Sequence, residues 1–220
     1  MTAKKTVNIT IDETPVQAKK GEKLLFAALD AGIYIPNLCA IRDVAPHAGC
    51  RLCLVEIDGR SEPATACTEN VTEGMIVRTD TPHVRRLQRM AFELIMTSHT
   101  VDCKNCTKHG KCELHRIAAF LKASLKTRRL RKKERDFPVD DSHDEIILDR
   151  NKCVLCGKCV WACNEKRNIG AINYAFRSDR TIIDTFCGDR LGDTACDGCG
   201  LCAELCPVGS ISKKILTNSD

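Results

Sequence analysis

The chain has 220 residues, 43% of them hydrophobic but only 4% aromatic, with a net charge of +5. That length suits one to three domains, and so few aromatic side chains exclude a large aromatic core. Small domains of this kind need staples, either disulfides or metals, and sixteen cysteines can supply them.

The longest apolar runs fall far short of the ~20 residues of a membrane span. The N-terminal "MTAKKTVNITIDETPVQAKKG" has no apolar signal-peptide core. A cytoplasmic chain without a membrane span is expected. Thiols stay reduced there, and cysteines two or three residues apart read as metal ligands rather than as a disulfide framework.

In chain order, "TVNITID" alternates apolar and polar positions and "TPVQAKKG" follows a short turn, which predicts a β-hairpin. "GEKLLFAALDAGIYIP" predicts a short helix stopped by Gly32 and Pro36. "CLVEIDG" and "GMIVRTD" read as two more strands, giving a small mixed sheet with one helix over residues 1–80. Val84, Leu87, Ala91, Leu94 and Ile95 recur at helical spacing, as do Leu114, Ile117, Ala118, Leu121 and Leu125. These stripes are core and predict a small helical segment over 81–125. Residues 126–144 read as an exposed charged linker: "KTRRLRKKER" sets seven basic side chains against Glu134, and an acidic "DDSHDE" follows Pro138. A last domain, 145–220, holds an internal repeat, "RNKCVLCGKCVWAC" and "DTACDGCGLCAELC", offset by 43 residues.

The repeat carries the most specific chemistry. Each half reads C-x2-C-x2-C-x3-C, the bacterial ferredoxin run in which the fourth cysteine serves the other cluster. Cys153, Cys156, Cys159 and Cys206 are thus expected to hold one [4Fe-4S] cluster, and Cys163, Cys196, Cys199 and Cys202 another. Asn164 stands after Cys163 where Pro207 follows Cys206. Near the N-terminus, Cys39, Cys50, Cys53 and Cys67 offer four thiolates. The C-x2-C and distant fourth cysteine match a [2Fe-2S] site, although the first gap is longer than in the plant pattern. Zinc is the competing occupant, and His47 lies in the long gap. Between these groups Cys103, Cys106 and Cys112 form an incomplete set. Imidazole replaces thiolate at iron in some centres, and His99 completes H-x3-C-x2-C-x5-C for a third [4Fe-4S] cluster. His109 competes for that place, and His115 does so more weakly. Cys187 is read as a free thiol.

The order of these segments resembles the small iron–sulfur (diaphorase) subunit of soluble NAD-linked hydrogenases. It is equally similar to the N-terminal iron–sulfur region of the complex I large subunit, of iron-only hydrogenases and of NAD-dependent formate dehydrogenases. "CRLCLVEIDG", "CKNCTKHGKCEL" and "NKCVLCGKCVWAC" carry the likeness, which runs from "VNITID" to "CPVGSI". It implies an α+β chain of three domains. The first is a β-grasp [2Fe-2S] ferredoxin domain. The second is a small helical [4Fe-4S] domain with one histidine ligand, His99, and three cysteines. The third is a C-terminal two-[4Fe-4S] ferredoxin-like domain.

No Gly-rich phosphate loop or nucleophile–base pair is recognisable. The expected function is therefore electron transfer, as the iron–sulfur subunit of a multisubunit oxidoreductase without a substrate-converting site of its own. Only 14 residues follow Cys206, so the catalytic unit is expected on another chain. The resemblance implies an NAD(P)H-linked flavoprotein (diaphorase) subunit on one side. A hydrogenase, formate dehydrogenase or other low-potential reductase stands on the other. A free-standing polyferredoxin carrier is the alternative. A zinc-dependent nucleic-acid module is disfavoured, because two Tyr and one Trp offer little base stacking. The basic run is expected to be solvated, with docking on an acidic partner as its functional reading.

Overall fold

The computed structural model describes residues 6–127 and 129–214, apart from the side chain of Cys187. Arg128 of the basic run, and the free-thiol expectation for Cys187, therefore fall outside the description. The chain forms two compact units. One comprises the described residues up to Glu93 together with Ala119–Ala123; the other comprises Leu94–Ala118 and the described residues from Ser124 onward.

In the first unit, β1 (Thr6–Ile11) and β2 (Thr14–Lys19) form the expected hairpin, turned by Asp12 and Glu13 at φ 46° and 66°. Positive φ at both central residues matches the right-handed strand twist. After α1 (Leu24–Asp30) come β3 (Leu54–Ile57), β4 (Ala64–Thr65) and β5 (Ile76–Arg78). The sheet order is β2-β1-β5-β3-β4, with β1 and β5 parallel and the other pairs antiparallel. The two-residue β4 had no signal in the sequence. Period-2 alternation sends Val7, Ile9 and Ile11 inward to meet Leu24, Leu25 and Ala28 of α1 in a core that also includes Cys53 and Cys67. Asp12 ties the hairpin to the sheet: Oδ1 accepts from Thr79 N–H at 2.7 Å and Oδ2 from the Thr79 hydroxyl.

Helix α2 (Pro82–Met96) forms where expected, with Thr81 Oγ1 accepting from Val84 N–H at its start. Its buried face differs from the predicted stripe. Val84, Gln88, Phe92 and Met96 are buried, whereas Leu94 is 56% exposed. Gln88 turns inward because Nε2 donates to the Leu54 carbonyl on β3 at 3.0 Å. Helix α3 (Glu113–Leu121) buries Leu114, Ile117 and Leu121 but stops short of Leu125, since Lys122 enters the left-handed region at φ 50°.

In the second unit, β6 (Ile146–Leu148) pairs antiparallel with β9 (Ile211–Lys213), bringing the two ends of the C-terminal segment together. Asp149 caps the 3-10 turn Arg150–Lys152 by accepting from Asn151 N–H. Helices α4 (Lys158–Trp161) and α5 (Leu201–Leu205) are the two copies of the repeat. Both are entered through left-handed glycines, Gly157 at φ 76° and Gly200 at φ 73°. Leu155 and Gly198, also 43 residues apart, take φ 55° and 69°. The copies diverge where their sequences do. Proline disfavours helix in the residue before it, so Pro207 leaves Cys206 extended at ψ 117° and α5 ends. Asn164 lets the first copy continue through a π-helical turn, Ala162–Lys166. Between the copies a hairpin unanticipated from the sequence, β7 (Ile172–Ala175) with β8 (Ile182–Thr185), is inserted.

Candidate metal centres

Three of the N-terminal thiols, Cys39, Cys50 and Cys53, come from the long loop between α1 and β3, and Cys67 comes from the turn after β4. Cys39, Cys53 and Cys67 are 4%, 1% and 2% exposed. The loop bends through Asp43, Ala48 and Arg51, all at positive φ without being glycine, a strain that surrounding contacts must hold. Cys39 and Cys50 lie Sγ to Sγ at 3.4 Å. Their shared hydrogen bond, with burial, pushes the Cys39 thiol up, while Cys50 is held down at about 6. Cys53 and Cys67 repeat the arrangement: Cys53 is raised by its hydrogen bond to Cys67 and by burial, and Cys67 is lowered. The set is thus two thiol pairs, in each of which one sulfur keeps its proton, Cys39 or Cys53, and hydrogen-bonds to one held toward the thiolate, Cys50 or Cys67. His47 is exposed and packs its ring against Gly49.

In the second unit, His99, Cys103, Cys106 and Cys112 line one cavity with His109, His115, Met96 and Leu114. His99 is 8% exposed, and burial lowers its pKa below the ordinary imidazole value. Its Nδ1 lies 2.8 Å from the Lys152 carbonyl oxygen. A carbonyl only accepts, so Nδ1 carries the hydrogen and Nε2 keeps its lone pair for a metal. His109 also spends Nδ1 on a carbonyl, that of Cys103 at 2.8 Å, and His115 Nε2 stands 3.3 Å from Cys103 Sγ. Cys112 sits at the start of α3; burial raises its thiol against backbone N–H groups of Leu114 and His115. A Cβ placed on Gly209 would lie 2.5 Å from Cys106 Sγ, so only a glycine allows that close approach.

Cys153, Cys156, Cys159 and Cys206 are all under 10% exposed. Burial pushes Cys156 up to about 12 and Cys159 well above its ordinary value, with neighbouring sulfurs, that of Cys206 among them, adding to the rise. Cys163, Cys196, Cys199 and Cys202 line another cavity, walled by Ile146, Leu148, Leu191 and Ile211. Burial pushes Cys202 up to about 12, followed by the Cys196 and Cys199 sulfurs. The fourth cysteine of each repeat therefore lies among the first three of the other. Cys202 also weighs on Cys159, so the two sets adjoin.

Three features here had little or no sequence signal. The Lys152 carbonyl and the glycine at 209 are backbone features. Arg135, half-buried beside Cys153, was marked only as one of a basic run.

Residues 4–82 match the 2Fe-2S iron–sulfur cluster binding domain, 88–124 the NADH-ubiquinone oxidoreductase-G iron–sulfur binding region, and 193–212 a 4Fe-4S binding domain. The NADPH-Fe(3+) oxidoreductase subunit alpha of Geobacter sulfurreducens is 35% identical over 215 residues, 94% of this chain and 24% of that protein. The NADP-reducing hydrogenase subunit HndD of Solidesulfovibrio fructosivorans is 31% identical over 210 residues, 93% of this chain and 36% of that one. The chain thus spans about a quarter of the length of the first of these relatives. The NAD-reducing hydrogenase HoxS subunit gamma of Cupriavidus necator is 27% identical over 215 residues, 95% of this chain and 88% of its own length. A chain in the crystal structure of an NAD+-reducing [NiFe]-hydrogenase in the H2-reduced state superposes with a TM-score of 0.85 at 30% identity, covering 97% of this chain and 90% of that one. The chain belongs to the family of iron–sulfur subunits shared by NAD-linked hydrogenases and the NADH-quinone oxidoreductases.

Proposed function

We propose that this chain is the electron-relay subunit of a multisubunit NAD(P)-linked oxidoreductase. It would carry one [2Fe-2S] and three [4Fe-4S] clusters. These would lie in a β-grasp domain (1–80), a helical domain with one histidine and three cysteine ligands (81–125) and, after a linker (126–144), a two-cluster ferredoxin domain (145–220). Cys39, Cys50, Cys53 and Cys67 would hold the [2Fe-2S] cluster, each of the two thiol pairs serving one iron. His99, Cys103, Cys106 and Cys112 would hold one [4Fe-4S] cluster. Cys153, Cys156, Cys159 and Cys206 would hold the second, and Cys163, Cys196, Cys199 and Cys202 the third.

The donor sets suit clusters better than single ions. Zinc with Zn–S near 2.3 Å would draw four sulfurs to about 3.8 Å of one another. Among the described residues no three His, Cys, Asp or Glu side chains close on one ion in that way. The thiols of two sets instead line recesses that are partly open to solvent. The single observation that best supports the reading is that Cys163, from the first repeat, lines one recess with Cys196, Cys199 and Cys202 of the second, while Cys206 lies close enough to Cys153, Cys156 and Cys159 to raise them, a placement that two independent zinc knuckles have no reason to make.

When bound, such clusters supply reversible one-electron transfer. The chain's own residues supply thiolate and imidazole donors, exclude water with Leu and Ile side chains, and hold the His99 tautomer. Its partners would be an NAD(P)H-linked flavoprotein and a separate catalytic subunit, a hydrogenase, formate dehydrogenase or another low-potential reductase, in the cytoplasm. Among the described residues no helix is long and apolar enough to cross a membrane.

Anaerobic purification with iron and acid-labile sulfide assay tests the reading. The expected content is roughly fourteen irons and fourteen sulfides per chain. About one zinc per thiol quartet without sulfide overturns it. Copurification of a flavoprotein separates a complex subunit from a free carrier, which would run alone on size exclusion.

A further inference from the structure

Arg135 is the last basic residue of the 126–135 run, and unlike most of its neighbours it folds inward. It is half-buried, and its Nη1 donates to the carbonyl oxygens of Cys153 at 3.0 Å and Arg150 at 3.5 Å. Neighbouring contacts hold the segment in place. Lys133 N–H donates to Thr97 O at 2.7 Å. Asn151 clasps Phe137, its side-chain oxygen accepting from the backbone N–H at 2.9 Å and its Nδ2 donating to the carbonyl at 2.8 Å. A guanidinium stays charged at any working pH. Here burial opposes that charge, and the largest favourable influence on it is the Cys153 sulfur. No carboxylate is hydrogen-bonded to it among the described contacts.

The other ferredoxin set has different electrostatic surroundings. Asp197 adjoins Cys196 and pairs with Arg167 at 2.6 Å, which cancels the two charges. Glu145 Oε2 would lie 3.1 Å from a Cβ on Gly198, inside the Cys196–Cys199 loop. Lys213 Nζ would lie 2.6 Å from a Cβ on Gly200, which follows Cys199, but it is paired with Glu204 at 3.1 Å. Among the described contacts, a half-buried cation without a paired carboxylate thus stands beside the Cys153 set, whereas the cations beside the other set are paired.

We propose that Arg135 is a positioning charge that raises the reduction potential of the cluster held by Cys153, Cys156, Cys159 and Cys206, making it the more readily reduced of the two ferredoxin-domain clusters; this rests on the cluster assignment above. Reduction adds one electron, taken from the reductant, and no proton. A fixed positive charge at low effective dielectric stabilises the more negative product. The carbonyls that Arg135 grips hold the guanidinium beside Cys153, so the effect falls on that cluster.

The test is an anaerobic redox titration of the full-length holoprotein, with dithionite as reductant and electron paramagnetic resonance as readout. The relevant signal is first identified as the one lost in Cys156→Ala. In Arg135→Gln that signal alone should require a more negative potential. Its reduced-to-oxidised ratio at fixed solution potential should fall about tenfold, or about 59 mV for one electron. Iron content should be unchanged, and Arg135→Lys should restore most of the shift. An unmoved potential with full iron overturns the proposal. So does an equal shift in the Lys variant, which would make the hydrogen bonds the cause and not the charge. Loss of about four irons in Arg135→Gln also overturns it, by showing a structural clamp. Wild-type protein without labile sulfide would instead sink the cluster assignment itself.

Discussion

His99 donates its Nδ1 hydrogen to the carbonyl oxygen of Lys152 at 2.8 Å, and Lys152 is peptide-bonded to Cys153. One hydrogen bond therefore links a candidate donor of the histidine-containing set to the residue before a candidate donor of the adjacent ferredoxin set. It also fixes the imidazole tautomer, as a second partner does for most metal-bound histidines. The same 3-10 turn receives Thr100 N–H at the Asn151 carbonyl, so the two donor sets are braced by a short backbone segment.

Replacing His99 by Ala should remove or alter one [4Fe-4S] signal in electron paramagnetic resonance and leave the other clusters intact. Up to about four irons per chain should be lost. His99→Cys should keep the iron but move that cluster to a more negative potential, because thiolate adds negative charge where imidazole is neutral. An unchanged spectrum in both variants would transfer the ligand role to His109, whose Nδ1 is already committed to the Cys103 carbonyl.

Short-range patterns were the legible part of this chain. Alternation in β1 names Val7, Ile9 and Ile11 as core, and the 43-residue offset names the duplicated loops down to the paired left-handed positions at 157 and 200. Side chains whose role depends on a distant backbone group were illegible. Gln88 looks like a surface residue until the Leu54 carbonyl on β3 turns it inward, and this rotates the buried face of α2 away from Leu94. Arg135 looks like one of seven solvated cations until the Cys153 carbonyl captures it. The β7–β8 hairpin turns through Phe176 and Ser178, at φ 61° and 57°, and not through glycines, so no turn dipeptide marks it.

Arg150 gives a stability prediction. It is 9% exposed and donates through Nε to Asp184 at 3.0 Å and through Nη2 to the same carboxylate, with Asp140 at 3.8 Å. Arg150→Met would leave two nearly buried carboxylates without their cation, which costs about 3–5 kcal/mol. Thermal unfolding of the holoprotein should fall by about 10 °C on the scale of about 2–4 °C per kcal/mol for a chain of this size. Adding Asp184→Leu to that variant should recover part of the loss. A single variant as stable as the wild type would show that the pair is screened by solvent.

Gly209 tests the close approach to Cys106. An alanine methyl would fall 2.5 Å from Cys106 Sγ and 3.1 Å from Thr107 Oγ1. Forcing these apart costs about 1–3 kcal/mol, and the strain lands on a candidate ligand. Gly209→Ala should therefore broaden or abolish the same signal that His99→Ala removes, measured by electron paramagnetic resonance alongside iron content. A normal signal would mean that the Cys106 side chain can retreat without leaving its metal.

The exchange of cysteines between repeats makes the last prediction. Cys206 follows α5 yet lies among the thiols that precede and begin α4, where it raises Cys153, Cys156 and Cys159. Cys163 follows α4 yet acts on Cys196 and Cys202. Cys206→Ala should therefore abolish the same [4Fe-4S] signal as Cys156→Ala, and Cys163→Ala the same signal as Cys199→Ala, each with a loss of up to about four irons. If each fourth cysteine were a ligand within its own repeat, the pairs would invert, with Cys206→Ala copying Cys199→Ala. The comparison needs only four single variants and one spectroscopic signature. It reads the ligand partition directly, because a cysteine that merely packs in the core would leave both signals in place when replaced by alanine.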